Sequence, residues 1–564
     1  MIRVMKAVSL VALCTLIIAV PSVWANWVQD GAAICTTAIN QWLPIIISDG
    51  AGGAIVTWYA GSSGGDDDVY AQRVNASGSV QWAANGVPLC TAMGDQDLPM
   101  ITSDCAGGAI VTWEDFRGGH ADIFAQRINA LGVVQWTANG VALCTATLDQ
   151  SGPTIVSDGV GGAIVTWMDL RSGYETLHIY AQKVNAAGAV QWTTNGVALC
   201  TATAYQQYPT IVSDGAGGAI VTWEDYRSGT NGDIYVQWVN ASGAVQWMAN
   251  GVALCVAAGD QRYPAITSDG AGGAIITWYD KRAGNNDIYA QRVSASGAVE
   301  WTTDGVPLCT AAGYQGAPTI VPDDAGGAIV TWGDGRNGDY DIYAQRLDAS
   351  GAVQWRTDGV ALCTATGDQY WPTIVPDGAG GAVVTWHDFR SGTSWDIYAQ
   401  RVNASGSVQW TANGVALCTA SGDQEFPTIA SDDAGGATVT WMDYRSGTNF
   451  DIYAQRVDAN GFAVLTAADA PAVPLHLNQN YPNPFNPTTT VTYSVPEKSN
   501  VILVIYDVSG KRIACLVDGQ QEKGSHSVEW SGKDEKGSSV ASGIYVYRLA
   551  AGGRTISKKM VVLR

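Results

Sequence analysis

The sequence predicts an all-β protein, and three observations support this prediction. Short runs rich in Val, Ile, Thr and aromatic residues alternate with turns rich in Gly, Asn and Asp. No window of useful length carries apolar residues at the 3.6-residue period of a helix. The 564 residues include 66 Gly and 22 Trp but only 14% charged residues, a composition that argues against disorder and against helical bundles.

The net charge narrows the classes of partner. With 51 acidic and 30 basic residues, the chain carries a formal charge of −21 at pH 7. A protein that binds nucleic acid needs a basic face to neutralise phosphates. We therefore expect no nucleic-acid partner.

Residues 1–25 are predicted to be a secretory signal peptide. Arg3 and Lys6 precede an apolar run over residues 7–20, which is too short to span a bilayer as a helix, and Pro21 ends it. The small or aliphatic residues at 23–25 suit cleavage after Ala25. Because no later segment is long and apolar enough to cross a membrane, we expect no transmembrane segment and an exported, soluble mature chain.

Residues 26–465 consist of eight copies of one unit with a period of 54 to 56 residues. One cysteine and one tryptophan mark every copy at a constant spacing. The cysteines are Cys35, Cys90, Cys144, Cys200, Cys255, Cys309, Cys363 and Cys418, and the tryptophans are Trp58, Trp113, Trp167, Trp223, Trp278, Trp332, Trp386 and Trp441.

Each copy is predicted to hold four or five short antiparallel strands. In one copy these are Pro209–Asp214, Ala219–Trp223, a strand that starts at Asp233, a strand that starts at Val245, and Val252–Leu254. The pair Asn250-Gly251 is a hairpin-type turn signal. A sheet of this size cannot bury both faces alone, so the copies must pack on one another.

Eight such units predict an eight-bladed β-propeller, because closure into a ring leaves only short strand edges exposed. A straight β-solenoid is the alternative. The two ends of the repeat region favour closure. The last copy has Leu465 where the other copies have a tryptophan, and the first copy starts at Trp27. We therefore expect the segment around Trp27 to complete the last blade.

A second motif in the repeat places a glycine four residues before a tryptophan, as in Gly243 and Trp247. This spacing resembles the tryptophan-docking motif of quinoprotein-type propellers, in which an indole packs between neighbouring blades. The whole unit is also similar to the propeller repeats of large bacterial surface proteins. The resemblance implies the fold, but a quinone cofactor does not follow from it. The other pairs are Gly78/Trp82, Gly132/Trp136, Gly188/Trp192, Gly297/Trp301, Gly351/Trp355 and Gly406/Trp410.

Variation between copies is confined to two places. All length variation lies between the W-x-D-x-R segment and the D-I-Y strand, and the residues just before the proline vary in type. In an up-and-down blade both places lie on the same side, where repeat proteins often bind ligands. Exposed aromatic rings there suit stacking on sugars or anchoring in protein interfaces. The predicted binding face comprises Trp42, Tyr208, Tyr263, Tyr370, Trp371, Trp395 and Phe450.

The other polar motifs indicate scaffold roles. An aspartate and an arginine two residues apart, such as Asp115 and Arg117, recur in seven copies, whereas catalysis needs a group once. We predict scaffold ion pairs, buried free thiols at the repeated cysteines, no catalytic residue and no zinc site. The run Asp66–Asp68 offers carboxylates for calcium, although a solvated loop is the favoured interpretation.

Residues 466–474 form a predicted Ala/Pro-rich linker, and residues 475–564 form a predicted immunoglobulin-like β-sandwich with six or seven strands. The motifs Y-P-N-P-F-N-P (481–487), I-Y-D-V-S-G-K (505–511), S-G-I-Y-V-Y-R-L (542–549) and K-K-M-V-V-L-R (558–564) resemble the type A C-terminal sorting domain of type IX secretion. The segment is also similar to the Ig-like domain of flagellar hook-capping proteins. The resemblance implies a Gram-negative-type bacterium, the type IX machinery as a partner, and secretion or surface attachment.

The predicted function is that of a secreted or cell-surface binding or adhesion module for a glycan or a protein. The near-symmetric copies favour multivalent contacts. Two alternatives stay open: a polysaccharide-acting hydrolase or lyase on the same scaffold, and a structural surface protein without a ligand. An enzyme would need two convergent carboxylates, or a Tyr/His pair, that the other copies lack.

Overall fold

The computed structural model describes residues 27–463 except 62–64, and residues 475–563 except 481–482, 486, 497 and 522–523. The predicted signal peptide and linker lie outside these residues. All regular secondary structure in the described ranges consists of β-strands, so the all-β prediction is confirmed there. In the same ranges no helix is long and apolar enough to span a bilayer.

The repeat region contains strands β1 to β32. An N-terminal strand, β1 (Ala32–Cys35), precedes four groups of four strands. They are β2 (Asn40–Ser48), β3 (Ala54–Gly61), β4 (Asp68–Val74), β5 (Val87–Cys90), β6 (Gln96–Ser103), β7 (Ala109–Asp115), β8 (Asp122–Ile128), β9 (Val141–Cys144), β10 (Gln150–Ser157), β11 (Ala163–Asp169), β12 (His178–Val184), β13 (Val197–Cys200), β14 (Gln206–Ser213), β15 (Ala219–Asp225), β16 (Asp233–Val239) and β17 (Val252–Cys255).

The second half of the region repeats this pattern, and its last group has three strands. They are β18 (Gln261–Ser268), β19 (Ala274–Asp280), β20 (Asp287–Val293), β21 (Val306–Cys309), β22 (Gln315–Pro322), β23 (Ala328–Asp334), β24 (Asp341–Leu347), β25 (Val360–Cys363), β26 (Gln369–Pro376), β27 (Ala382–Asp388), β28 (Asp396–Val402), β29 (Val415–Cys418), β30 (Gln424–Ser431), β31 (Ala437–Asp443) and β32 (Asp451–Val457).

These strands form eight four-stranded antiparallel sheets, numbered one to eight from the sheet β2–β5. The eighth sheet has the order β1-β32-β31-β30, so the N-terminal strand supplies its fourth strand. The first strand of each sheet lies against the first strands of its two neighbours, and β2 also contacts β30. The first and last sheets therefore adjoin in a propeller-like ring, as the sequence predicts, and the straight solenoid does not fit these contacts.

Two sets of hydrogen bonds tie each sheet to the next and include the closing junction. The backbone N–H of the glutamine that opens each sheet donates to a carbonyl of the preceding sheet; at the closure, Gln41 N–H donates to Phe450 O at 2.9 Å. A threonine of several first strands donates to a proline carbonyl of the next sheet, as Thr210 does to Pro264 at 3.3 Å. Thr428 makes the same bond to Pro44 at 2.9 Å across the closing junction.

The second strand of each sheet is the most buried element. β15, with the sequence Ala-Ile-Val-Thr-Trp-Glu-Asp, is buried along its whole length because neighbouring sheets cover both of its faces. Residues near Val245 form an isolated bridge to Val239 and not the predicted strand. Asn250 and Gly251 lie in a turn that leads into β17, so they do not form a hairpin between two long strands.

The repeated Gly–Trp motif connects neighbouring sheets. Trp192 donates its indole N–H to Ala241 O of the next sheet at 3.1 Å and lies against Gly243 of that sheet. Gly243 has φ +84°, and a Cβ there would lie 2.6 Å from the Trp192 ring, so only glycine fits. Trp27 makes the same contacts with Ala76 and Gly78, and it thereby replaces the tryptophan that the last copy lacks.

The repeated Asp–Arg pairs are buried ion pairs, as predicted. Arg282 bonds both carboxylate oxygens of Asp280 at 2.6 and 2.8 Å, and its Nη2 lies 3.1 Å from the Cys255 sulfur of the preceding sheet. Trp278 donates its indole N–H to the same carboxylate at 2.9 Å. The cysteines of the described ranges are free, and the repeated ones are buried. Each repeated thiol except Cys35 also contacts an arginine, which the sequence does not predict.

In six of the eight sheets an aspartate opens the third strand and lies opposite the aspartate of the Asp–Arg pair, as Asp396 lies opposite Asp388. Burial, and then repulsion from the facing aspartate, raises the pKa of Asp122, Asp287 and Asp396 to about 6. An unfolded aspartate titrates near pH 3.9, so the folded state binds more protons between about pH 4 and 6. This contribution to stability is present at low pH and is lost as the pH rises through about 6.

We therefore expect the protein to be more stable to denaturant at pH 5 than at pH 7.5. The substitution Asp396→Asn removes one of these charges, so it is expected to raise the free energy of unfolding at pH 7.5 by about 1 kcal/mol and to reduce the pH dependence. Denaturant titrations at the two pH values measure both effects. If the unsubstituted protein were less stable at pH 5 than at pH 7.5, this role of the facing carboxylates would be wrong.

The C-terminal domain consists of two sheets. Its strands are β33 (His476–Leu477), β34 (Thr489–Val495), β35 (Ser499–Asp507), β36 (Arg512–Gln521), β37 (Gly524–Trp530), β38 (Gly543–Ala551) and β39 (Arg554–Val562). The sheet orders are β33-β34-β37 and β36-β35-β38-β39. Phe485, Trp530 and Tyr547 lie in the shared core, and the Tyr547 hydroxyl donates to Asn478 O at 2.7 Å. The seven strands agree with the predicted sandwich of six or seven strands.

Candidate functional site

Both variable segments of the repeat lie at the same end of the sheets. One segment joins the second and third strands, and the other comprises the residues just before the proline, near the start of each first strand. They touch because the opening glutamine of one sheet bonds the residue before the third strand of the preceding sheet, as Gln369 does to Tyr340 O at 2.7 Å. We call this end of the ring the variable face.

The first strand of each sheet has a backbone irregularity at this face, centred on one residue. The residue two positions after the opening glutamine has a positive φ in every sheet, and the pairing of the first and second strands shifts register there. Positive φ is uncommon for bulky residues and marks positions whose conformation the surroundings impose. These residues are Leu43, Leu98, Gly152, Tyr208, Tyr263, Ala317, Trp371 and Phe426.

Aromatic rings form a continuous series across sheets four to seven. Neighbouring ring centroids are 4.6 to 6.4 Å apart, which is the range of favourable aromatic pairs. We call the series the aromatic arc; its rings, in order of contact, are Tyr208, Tyr263, Tyr279, Tyr314, Tyr340, Tyr370 and Trp395.

The arc ends in a denser cluster at sheets seven and eight. His387 lies 4.5 Å from Trp395 and 5.9 Å from Phe426, centroid to centroid, and Trp371 lies 6.2 Å from Phe426. The His387 side chain is only 4% exposed, and burial lowers its pKa to about 4. The histidine is therefore neutral at pH 7 and supports the exposed rings from below.

The structure brings the seven predicted face residues into two groups. Five of them belong to the aromatic arc or the cluster at its end: Tyr208, Tyr263, Tyr370, Trp371 and Trp395. Of these, Tyr208, Tyr263 and Trp371 are 46%, 51% and 54% exposed. Trp42 and Phe450 form a separate half-buried pair, 5.1 Å apart, at the junction of the first and eighth sheets.

Three members of the arc are absent from the predicted binding face, namely Tyr279, Tyr314 and Tyr340. Tyr279 occupies the position between the repeated tryptophan and aspartate, which differs among the copies while both flanking residues recur. That variation is the sequence signal that identifies this position as part of the face. The eight residues there are Tyr59, Glu114, Met168, Glu224, Tyr279, Gly333, His387 and Met442.

Some residues at this position hold the projecting backbone in place. The carboxylate of Glu224 accepts the N–H of Tyr263 at 2.7 Å, and that of Glu114 accepts the N–H of Gly152 at 2.7 Å. Burial raises the pKa of Glu114 to about 7. Glu224 is buried and also accepts a hydrogen bond from the Tyr226 hydroxyl at 3.2 Å. Its bond to the Tyr263 N–H therefore holds one residue of the arc in place.

Carboxylates dominate the charge of the variable face. In the described connections that form it, the basic residues outside the Asp–Arg pairs are Arg262, Lys281 and the histidines. Arg262 is itself paired with Asp260 at 3.1 Å. No group of three or more His, Cys, Asp or Glu side chains in the described ranges has a geometry that could hold a metal ion. Calcium at Asp66–Asp68 therefore gains no support from the described geometry.

One segment of the chain matches a known family model. Residues 484–554 match the family model of the FlgD Ig-like domain. No curated protein matches the chain. The similar solved structures include a protein of unknown function from Dyadobacter fermentans (10% identity, TM-score 0.37, covering 76% of this chain and 98% of that chain). An ulvan lyase bound to a sugar ligand gives 11% identity and a TM-score of 0.42 over 78% of this chain and 98% of that chain.

A third structure, an α-L-arabinanase from Penicillium chrysogenum, gives 13% identity and a TM-score of 0.32 over 66% of this chain and 94% of that chain. Likeness at this level indicates neither an activity nor a ligand. The C-terminal segment of this chain carries a FlgD Ig-like domain.

Proposed function

We propose that residues 26–465 form an eight-bladed β-propeller that binds carbohydrate on its variable face. One observation carries this proposal: contacting aromatic rings collect on a single face of a scaffold whose other positions are nearly repeated. Tyrosine and tryptophan rings offer flat apolar surfaces that suit the faces of sugar rings, and their polar atoms suit sugar hydroxyls. A protein ligand anchored by the same rings is an alternative outcome of the test.

We further propose that residues 475–564 direct export through type IX secretion to the cell surface or the medium. The motif resemblance supports this proposal, and a sandwich that carries a FlgD Ig-like domain suits it. A signal peptide at residues 1–25 would bring the chain to the periplasm first. Deletion of residues 475–564 in the native host is expected to leave the protein in the periplasm, measured by fractionation, while unchanged secretion would contradict the sorting role.

Catalysis on the same face is a second candidate, and one observation favours it. Tyr370 and His387 meet edge to face at 6.2 Å, and the other sheets lack such a pair. The 4% exposure of His387 places its ring beneath the surface, out of reach of a bound chain. We therefore expect binding without cleavage, and the appearance of sugar products that depends on His387 would instead establish an enzyme.

The substitution Trp371→Ala tests the binding proposal. Trp371 is the most exposed aromatic ring of the predicted face, so we expect at least about a tenfold loss of affinity for a bound polysaccharide with little change in stability. Isothermal titration of the full chain against a panel of polysaccharides gives the affinity. Met248→Ala, an exposed residue at the opposite end of the sheets, is the matched control. Equal losses in both variants would contradict the assignment of the face.

A further inference from the structure

The variable face has almost no positive charge available to a ligand. The arginines of the Asp–Arg pairs are held by an aspartate, a cysteine sulfur and a backbone carbonyl, as in Arg336. Arg262 is paired with Asp260, so Lys281 is the exposed basic residue of the described connections that has no ion pair. An anionic chain would therefore find no arginine or lysine cluster to neutralise it.

Carboxylates, in contrast, lie beside the rings of sheets six to eight. Asp368 and Asp423 flank the dense end of the arc, and Glu425 precedes Phe426. Asp368 accepts the N–H of Tyr340 at 3.0 Å, and Asp423 accepts the N–H of Trp395 at 3.1 Å. These aspartates thus hold two rings of the arc in place.

We infer that the ligand of the aromatic arc is an uncharged polysaccharide, lying extended along the rings from Tyr208 to Trp395. This inference rests on the proposed carbohydrate-binding function and adds the charge class of the chain. Tyr279 is only 5% exposed, so it connects the rings from beneath, and the surface is formed by its exposed and half-buried neighbours. These rings lie in series across four sheets, so they offer an extended track and not a pocket for a single sugar. Recognition then depends on stacking and on hydrogen bonds from sugar hydroxyls to the surrounding carboxylates.

Repulsion excludes a polyanion from the same track. Like charges placed together across an interface cost enough free energy to suppress the wrong partner, and salt screens this repulsion. Asp368, Asp423 and Glu425 lie beside the rings on which the chain would stack. A uronate or sulfate group on the sugars would therefore approach fixed negative charge at the dense end of the track.

Matched pairs of polymers with the same backbone test the inference. The full chain is titrated with dextran and dextran sulfate, with hydroxyethylcellulose and carboxymethylcellulose, and with neutral mannan, xylan, galactan and arabinan. We expect a neutral polymer to bind, with at least about a tenfold preference over its anionic derivative at low salt. The ratio of the two affinities is expected to become smaller at high salt and in the Glu425→Gln variant. The affinity for neutral oligosaccharides is expected to rise with their length.

The outcomes separate this inference from the proposed function. If the anionic polymers bind more tightly and Trp371→Ala abolishes that binding, the charge inference fails and the carbohydrate-binding function stands. If neutral monosaccharides bind as well as long chains, the extended track is wrong. Binding of none of these polymers would overturn both the inference and the proposed function.

Discussion

Replacement of Trp27 by alanine is expected to lower the free energy of unfolding by about 3–5 kcal/mol, the range for loss of a buried tryptophan. The side chain is only 2% exposed, packs on Gly78 and bonds Ala76 O at 3.0 Å. Its loss weakens the contact between the eighth and first sheets, where β1 closes the ring. Denaturant titration followed by tryptophan fluorescence and circular dichroism measures the change.

The neighbouring substitution Val28→Ala is the control for Trp27. Val28 is 52% exposed, so we expect a change within about 0.5 kcal/mol. If Trp27→Ala were as mild as Val28→Ala, the N-terminal segment would not hold the ring closed.

Replacement of Arg282 by methionine is expected to cost about 3–5 kcal/mol, because it leaves the buried carboxylate of Asp280 without its cation. The arginine also bonds Asp304 O at 2.6 Å and lies 4.0 Å from the Tyr289 ring centroid, both within the fifth sheet. Its contact with the Cys255 sulfur links the fifth sheet to the fourth. The double substitution Asp280→Asn/Arg282→Met removes both charges and is expected to recover part of the loss. Denaturant titrations of the parent, Arg282→Met, Asp280→Asn and the double variant measure the coupling free energy between the side chains.

Arg512→Met is the matched control for Arg282. Arg512 bonds Glu535 at 2.7 Å, but both side chains are about half exposed, so we expect little change in the free energy of unfolding. A loss in Arg282→Met no greater than in Arg512→Met would contradict the role of the buried pairs as links between sheets.

Much of the fold was predictable because the same sequence pattern occurs in eight copies. The constant spacing of cysteine and tryptophan indicated the units, and Leu465 in place of a tryptophan indicated that Trp27 completes the last one. The first sheet shows a limit of this reasoning. Ala60 replaces the repeated aspartate there, and the buried indole nitrogen of Trp58 has no hydrogen-bond partner among the described residues. The spacing alone does not reveal that loss.

The candidate site was predictable only in part. Trp371 and Trp395 were apparent because they are aromatic residues at positions where the copies differ. Tyr279 was missed because it lies inside a buried strand, and its role depends on rings of the neighbouring sheets. Contacts between sheets depend on how the ring closes, and one copy read by itself carries no information about them.

Hydrogen exchange of β1 tests the central claim, that the N-terminal strand closes the ring of sheets. In the structure Ala32 lies opposite Ala454, and Ala33 lies opposite Tyr453. We expect the amides of Ala32–Cys35 to be protected as strongly as those of Val197–Cys200, the equivalent strand of the third sheet. We also expect Trp27→Ala to reduce the protection of Ala32–Cys35 before it reduces that of Val197–Cys200. Rapid exchange throughout Ala32–Cys35 in a folded protein, with Val197–Cys200 protected, would contradict closure by this strand.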